Sequence, residues 1–271
     1  AVATMRGLAT EVMDALPNLK VVASFGVGYD SVPAAEAAER GIIVTHTPDV
    51  LNDEVADTAI MLWLAVSREL IPSEAWARSG DWETKGAYPL AHSVRNRTVG
   101  IVGFGRIGQT IAKQAQMFDA TVLYHARSKK DVDYAFYPDL VDMARASDVL
   151  IVITPGGPET KHLVNGAVID ALGPEGILIN VARGTVVDEA ALADALAAGR
   201  LGAAGLDVFE EEPKIHDGLK PLQNVVLVPH IGSASVETRK AMGDLVCENL
   251  AQWLKDGTTV TPVPECKALN G

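Results

Sequence analysis

Short, unbroken apolar runs alternate along this chain with longer stretches of helical period. From Thr98 onward the runs are Val99–Val102, Thr121–His125, Val149–Thr154, Gly176–Val181, Ala203–Phe209 and Val225–Pro229. Runs that do not alternate apolar with polar predict strands of a parallel sheet covered on both faces. Arg106–Phe118, Tyr137–Ala146, Asn165–Leu172 and Asp188–Ala198 predict the helices between them. Strand and helix in strict succession predict a doubly wound α/β domain.

The N-terminal part repeats the rhythm on a smaller scale. Leu19–Ser24 predicts a strand, Phe25–Asp30 a glycine-containing turn, Pro33–Arg40 a helix and Ile42–Thr45 a second strand. Asn52 or Asp53 then caps one long helix that runs to about Leu70. Its apolar residues Val55, Ala59, Ile60, Leu62, Trp63 and Val66 wrap more than one face, which predicts a helix buried between two domains. A last helix from Val236 to Leu254 and an extended tail from Gly257 would carry the chain back to the first domain. The expected organisation is a discontinuous smaller domain of residues 1–52 and 236–271, a larger domain of residues 53–235, and a cleft between them.

The first candidate chemistry sits at the start of the larger domain. Gly103, Gly105 and Gly108 form G-x-G-x-x-G between the run Val99–Val102 and the helical stretch from Arg106. The first glycine permits a tight turn, the second lets backbone approach a pyrophosphate, and the third lets helix and strand pack closely. Phosphates would rest at the helix N-terminus, where unpaired N–H groups and the helix dipole favour anions. The alternative is a glycine-rich structural turn. The flanking strand, helix and second strand favour a dinucleotide site. NAD-binding versions of this motif place an acid about 20 residues on, to hold the ribose 2′-OH. Here the second strand ends in Ala126 and is followed by Arg127, Ser128, Lys129 and Lys130. Planar donors, a hydroxyl and positive charge suit a 2′-phosphate, so the preferred cofactor is expected to be NADPH rather than NADH. The alternative is an ordinary solvated basic loop.

Composition removes several classes of function. The formal net charge of −12 opposes binding to nucleic acid and to anionic membrane. Mean hydropathy is +0.15, and no apolar run approaches the ~20 residues a membrane helix needs. The N-terminal residues show no basic stretch followed by an apolar signal core, so the cytoplasm is the default compartment. Two cysteines make neither a disulfide framework nor a metal spacing. Cys247 falls in an apolar helical pattern and is expected to be a core thiol, while Cys266 falls in the tail. No histidine pair has metal-ligand spacing, and Gly-x-Ser-x-Gly is absent.

Three residues at predicted strand ends carry the second candidate chemistry. Arg183 follows Ile179–Ala182, Glu212 closes the run Asp207–Pro213, and His230 follows Val226–Pro229. Ligands of open α/β sheets bind outside the carboxyl ends of the strands, so all three could line one cleft. An arginine can grip a carboxylate and polarise the carbonyl beside it. A histidine can protonate an alkoxide as it forms, and a neighbouring carboxylate favours the imidazolium. Together the three suit reduction of a 2-oxo acid. Glu210 and Glu211 compete with Glu212 on spacing alone. His46, His92, His125, His162 and His216 lack such a setting and are expected to be structural.

These residues fall within familiar motifs. They are Ser24–Asp30 (Ser-Phe-Gly-Val-Gly-Tyr-Asp), Asn52–Asp57, Val99–Gly108, Arg127–Lys130, Asn180–Gly184, Gly205–Pro213 and Pro229–Ser233. The chain resembles, over nearly its whole length, the D-2-hydroxyacid dehydrogenase family, and within it the NADPH-dependent glyoxylate/hydroxypyruvate reductases. The resemblance implies a Rossmann domain with a smaller flavodoxin-like substrate domain, and reduction of a small 2-oxo acid to the D-2-hydroxy acid. It implies that Arg183 grips the substrate, that Glu212, immediately before Pro213, is the catalytic glutamate, and that His230 is the acid/base. The Val27–Gly28 backbone would accept the substrate carboxylate. Arg106 and Ile107 would meet the pyrophosphate, Thr154 and Pro155 would border the adenosine, and Asp207 would contact the nicotinamide carboxamide. Val181 and Gly232 complete the implied cofactor contacts. A homodimer is implied, with the long helix and the Trp76–Trp82 arm at the interface. Family members usually carry a longer N-terminal segment, so the sequence is expected to be N-terminally truncated, either as a fragment or with a reduced small domain. A reduced small domain would expose apolar surface around Val21–Ser24. A nucleotide-sensing corepressor-like binding module is the alternative within the same fold. A phosphoglycerate dehydrogenase usually carries a further regulatory domain that this length does not allow.

Overall fold

The computed structural model describes residues 1–271 and divides into two compact units. The first comprises Ala1–Glu54 and Ser233–Gly271, the second Val55–Gly232. In the first unit, β1 (Val2–Thr4), β2 (Val21–Ser24) and β3 (Ile43–Thr45) form a parallel sheet in the order β1-β2-β3. Helices α1 (Thr10–Asp14) and α2 (Ala34–Glu39) connect the strands. Val21, Val22 and Ala23 are fully buried, so the apolar surface expected of a reduced domain is not exposed. The strand is central, paired on both edges, and its side chains join a core with Leu8, Met13, Val44, Val263 and Cys266.

The long helix expected from Asn52 to about Leu70 forms and ends three residues early, at Ser67. α3 (Asn52–Ser67) stops, Glu69 takes a left-handed conformation with φ 49°, and α4 (Leu70–Arg78) begins. Pro72 accounts for the break. Inside a continuous helix it would remove a backbone bond and clash with the preceding turn, but it is tolerated in the first turn of a new helix. α5 (Asp81–Lys85) follows, and neither α4 nor α5 buries a residue. α3, by contrast, buries Val55, Ala59, Leu62, Trp63 and Val66.

The second unit is built on β4 (Thr98–Val102), β5 (Thr121–His125), β6 (Ala135–Phe136), β7 (Val149–Val152), β8 (Ile177–Asn180), β9 (Ala203–Leu206) and β10 (Val225–Leu227). They form one seven-stranded sheet in the order β10-β9-β8-β7-β4-β5-β6, with every pairing parallel. Counted from β4, this is the doubly wound order 3-2-1-4-5-6 extended by a seventh strand. The connecting helices are α6 (Arg106–Gln116), α7 (Leu140–Arg145), α8 (Gly166–Leu172) and α9 (Glu189–Ala197). Asp139, Asn165 and Asp188 cap α7, α8 and α9 with side-chain oxygens on backbone N–H groups, as those residue types do at helix starts. Chain order reverses between β4 and β7, which makes that point the topological switch where ligands of such sheets bind.

The last helix, α10 (Val236–Asp256), is capped by Ser235 and belongs to the first unit. The expected roles of the two cysteines are reversed. α10 buries Thr238, Met242, Val246 and Asn249, a stripe that leaves Cys247 exposed one residue to its side. Cys266 lies in a 3₁₀ turn, Pro264–Leu269, that folds the tail back onto β3. The Val44 N–H points at its sulfur at 3.3 Å, and burial raises the thiol pKa. No helix is long and apolar enough to cross a membrane.

Candidate active site

The carboxyl ends of β8, β9 and β10 supply the reactive side chains. After β8, the buried Asn180 side chain turns the chain. Its Oδ1 accepts the Ala182 N–H at 3.1 Å, and its Nδ2 donates to the Arg183 carbonyl at 3.1 Å. Arg183 follows at this turn, and its Nη1 donates to the Ala182 carbonyl at 2.8 Å. Gly184 then presses on the loop that follows β9. A Cβ at Gly184 would fall inside the Phe209–Glu210 peptide, so only glycine fits. The arginine and the glutamate loop are thereby built against each other.

That loop separates the three competing glutamates. Glu210 is drawn away by His162, whose Nε2 lies 2.9 Å from its Oε1. Glu211 pairs with Lys214 at 3.2 Å on the surface. Glu212 alone meets His230, with Oε2 2.8 Å from Nδ1, while its Oε1 accepts the Phe209 N–H at 3.0 Å. Burial works to raise the Glu212 pKa, but the bonds from His230 and Phe209 and the charges of His230 and Arg183 outweigh it. The carboxyl is held below its ordinary value. The pair is partly exposed, beside a small hollow lined by Phe209, Pro213, Ile215 and Pro229.

His230 itself stands in left-handed backbone with φ 54°, a region that few non-glycine residues occupy. Asp207, at the end of β9, holds it there. The Asp207 carbonyl accepts the His230 N–H at 2.8 Å. Its carboxylate accepts the N–H groups of Ile231 at 2.5 Å and Gly232 at 2.8 Å. Asp207 is only 1% exposed, and burial raises its pKa against the pull of those bonds and of His230. The sequence placed Asp207 among the cofactor contacts; the structure adds the bracing of the histidine turn.

At the switch point the glycine turn closes tightly. Gly103 has φ 98°, and a Cβ there would come within 2.7 Å of the Thr154 backbone. A Cβ on Gly108 would strike the Gly103 carbonyl, whereas one on Gly105 would meet nothing within 4 Å. The turn is thus packed on its protein side and open outward. Gly105 caps α6 without a side-chain bond, which leaves the helix start to a ligand's phosphates. Arg106 is exposed and Ile107 half-buried at that start. Thr154 and Pro155 follow β7 beside it, and Val181 is buried after β8. Arg127, Ser128 and Lys129 are exposed just past β5, with no ion pair made by either cation. These features fit a dinucleotide with a 2′-phosphate. Val27 and Gly28 lie in the first unit, in the turn after β2, where His46 Nδ1 meets the Val27 carbonyl at 3.0 Å. No cluster of His, Cys, Asp and Glu is arranged to hold a metal.

With this fold and site, the chain belongs to the D-isomer specific 2-hydroxyacid dehydrogenases, whose NAD-binding domain model matches residues 60–232. It is 49% identical over 258 residues to the hydroxyphenylpyruvate reductase of Plectranthus scutellarioides, covering 95% of this chain and 82% of that protein. It is 47% identical to glyoxylate/hydroxypyruvate reductase A of Arabidopsis thaliana, with the same coverage. Among solved structures, the NADPH-dependent glyoxylate/hydroxypyruvate reductase of Sinorhizobium meliloti, in complex with NADP and malonate, superposes with a TM-score of 0.95 at 51% identity. That match covers 97% of this chain and 83% of the other.

Sequence reasoning left His162 as structural and gave no role to Asn180 or Glu189. Glu189 is 5% exposed, and its Oε1 accepts the Glu210 N–H at 2.6 Å. An acid in a helix's first turn ordinarily reads as an exposed complement to the helix dipole, so nothing in the local pattern marked it.

Proposed function

We propose that this enzyme reduces glyoxylate or hydroxypyruvate to the 2-hydroxy acid, of D configuration where the product is chiral, using NADPH. The observation that carries the reading is the Glu212–His230 pair, 2.8 Å apart at the carboxyl edge of the parallel sheet, with Arg183 beside it. Bound NADPH supplies the hydride. Arg183 holds the substrate carboxylate and polarises the oxo group with its planar donors. Because Nδ1 faces Glu212, His230 presents Nε2 to the substrate and gives its proton to the oxygen. Glu212 stays ionised and holds the ring through Nδ1. A binding module would have no use for this intact pair.

Gly103, Gly105, Arg106, Ile107 and Gly108 would hold the pyrophosphate, and Thr154 and Pro155 the adenosine. Arg127, Ser128 and Lys129 would hold the 2′-phosphate. Val181, Asp207 and Gly232 would border the nicotinamide. The relatives named for NADPH and for glyoxylate or hydroxypyruvate support this assignment.

The arm of α4 and α5 supports a homodimer. Leu70, Ile71 and Trp82 stand 53%, 57% and 67% exposed, and Trp82 lines a hollow of about 330 Å³ together with Trp76 and Tyr88. Exposed apolar area of this kind marks a protein contact.

The deciding experiment is kcat/KM with NADPH and with NADH over glyoxylate, hydroxypyruvate, pyruvate and hydroxyphenylpyruvate. The expected result is strong preference for NADPH, with glyoxylate and hydroxypyruvate turned over best. Equal efficiency with both cofactors, or no turnover of any 2-oxo acid, overturns the reading.

A further inference from the structure

Tyr124 is fully buried in β5, yet its hydroxyl is not used to fill the core. It accepts the Lys130 N–H at 2.8 Å and donates to the Lys130 carbonyl at 3.3 Å. Arg127–Lys130 make no other hydrogen bond. One hydroxyl therefore closes the base of the basic loop. The ring below it stacks on Phe104, with centroids 4.3 Å apart and planes 30° apart, and leans on Phe136 at 5.4 Å. Phe104 stands between Gly103 and Gly105, so the ring joins the loop to the glycine turn. A phenylalanine would make the same ring contacts without burying a polar group. Burying a hydroxyl costs free energy unless it is bonded, so its place here calls for a partner, and the partner is the loop.

We propose that Tyr124 is the positioning residue for cofactor selection: its hydroxyl holds Arg127–Lys129 in the form that receives a 2′-phosphate, at a spacing from the glycine turn set by the Tyr124–Phe104 stack. The proposal rests on the reading of that loop as the 2′-phosphate site. The residues of the acid–base pair take no part in it, so its signature is loss of discrimination with the chemistry intact.

The test is calorimetric binding of 2′,5′-ADP and of 5′-AMP to the wild type, Tyr124→Phe and Arg127→Ala. Tyr124→Phe, which removes both bonds to Lys130, should weaken 2′,5′-ADP by about tenfold or more and leave 5′-AMP unchanged. With NADH its kcat should stay at the wild-type level, while KM for NADPH rises. Arg127→Ala should weaken 2′,5′-ADP at least as much. If Arg127→Ala loses 2′,5′-ADP and Tyr124→Phe does not, the brace is wrong and the loop reading stands. If neither variant changes, the loop reading falls and the brace with it. An equal loss of both ligands in Tyr124→Phe assigns the hydroxyl to general stability and overturns the proposal. Hydrogen exchange in the wild type gives an independent check. The Lys130 amide should exchange far more slowly than those of Ser128 and Lys129, and equal rates refute the brace without any variant.

Discussion

Asp207 is bound to His230 through its carbonyl and to the two residues after it through its carboxylate. An otherwise unfavourable left-handed histidine is thus locked by one buried acid. Asp207→Asn should break the lock, because an amide offers one acceptor oxygen and turns its NH2 toward a backbone donor. A buried donor left unpaired costs roughly 1–3 kcal/mol. The variant should unfold at lower temperature and lose most of its kcat. A variant with wild-type kcat would show that the histidine turn holds itself.

The acid–base pair makes a separable prediction. His230→Ala should lower kcat by about two to four orders of magnitude while 2′,5′-ADP still binds. Glu212→Gln removes the carboxylate 2.8 Å from the imidazole but keeps a side chain of the same shape. Without that charge the ring loses the partner that holds Nδ1 toward residue 212, so kcat should fall, though less than in His230→Ala, while NADPH still binds. Wild-type kcat in Glu212→Gln would assign Glu212 to packing alone.

Gly184 tests how closely Arg183 is tied to the glutamate loop. An added methyl has no room beside the Phe209–Glu210 peptide, so Gly184→Ala must push the two loops apart. Overpacking of this kind costs about 1–3 kcal/mol. Arg183 and Glu212 should both be misplaced, with KM raised and kcat lowered together. Unchanged kinetics in a correctly folded Gly184→Ala would mean that the contact is incidental.

Much of this arrangement is legible in the chain, and the exceptions have physical causes. The parallel sheet is plain because its strands are buried on both faces and read as unbroken apolar runs. Their ends overrun for the same reason. Ala203–Phe209 is apolar nearly throughout, but the ladder stops at Leu206 and Asp207 turns its groups to the histidine loop. Strand β1 is only three residues long and shows no period. Arg183, Glu212 and His230 stand out as reactive types at strand ends. Their supports do not, since Glu189 and Asn180 are ordinary polar residues until the fold buries them. Which of three adjacent glutamates faces the histidine depends on His162 and Lys214, neither of which spacing could assign.

Glu189 supplies a prediction whose sign follows from its burial. Its carboxyl holds the Glu210 N–H, and burial raises its pKa above the ordinary 4.5. The Glu210 N–H and His216 pull it down; the charges of Glu210 and Glu211 push it up. A carboxyl raised in the folded state binds its proton more tightly there than in the unfolded chain. Its contribution to stability is therefore full below the unfolded value and is lost as pH rises through the folded one. Glu189→Gln keeps an oxygen for the Glu210 N–H but never ionises. Relative to the wild type it should gain stability as pH rises through that window, match it in acid, and hold a constant lead above. Glu189→Ala removes the acceptor as well and should loosen the loop that carries Glu212. Melting temperatures of the three proteins from about pH 4 to about pH 8 give the comparison. Parallel curves for wild type and Glu189→Gln would mean that the carboxyl is as well solvated in the folded protein as in the unfolded chain.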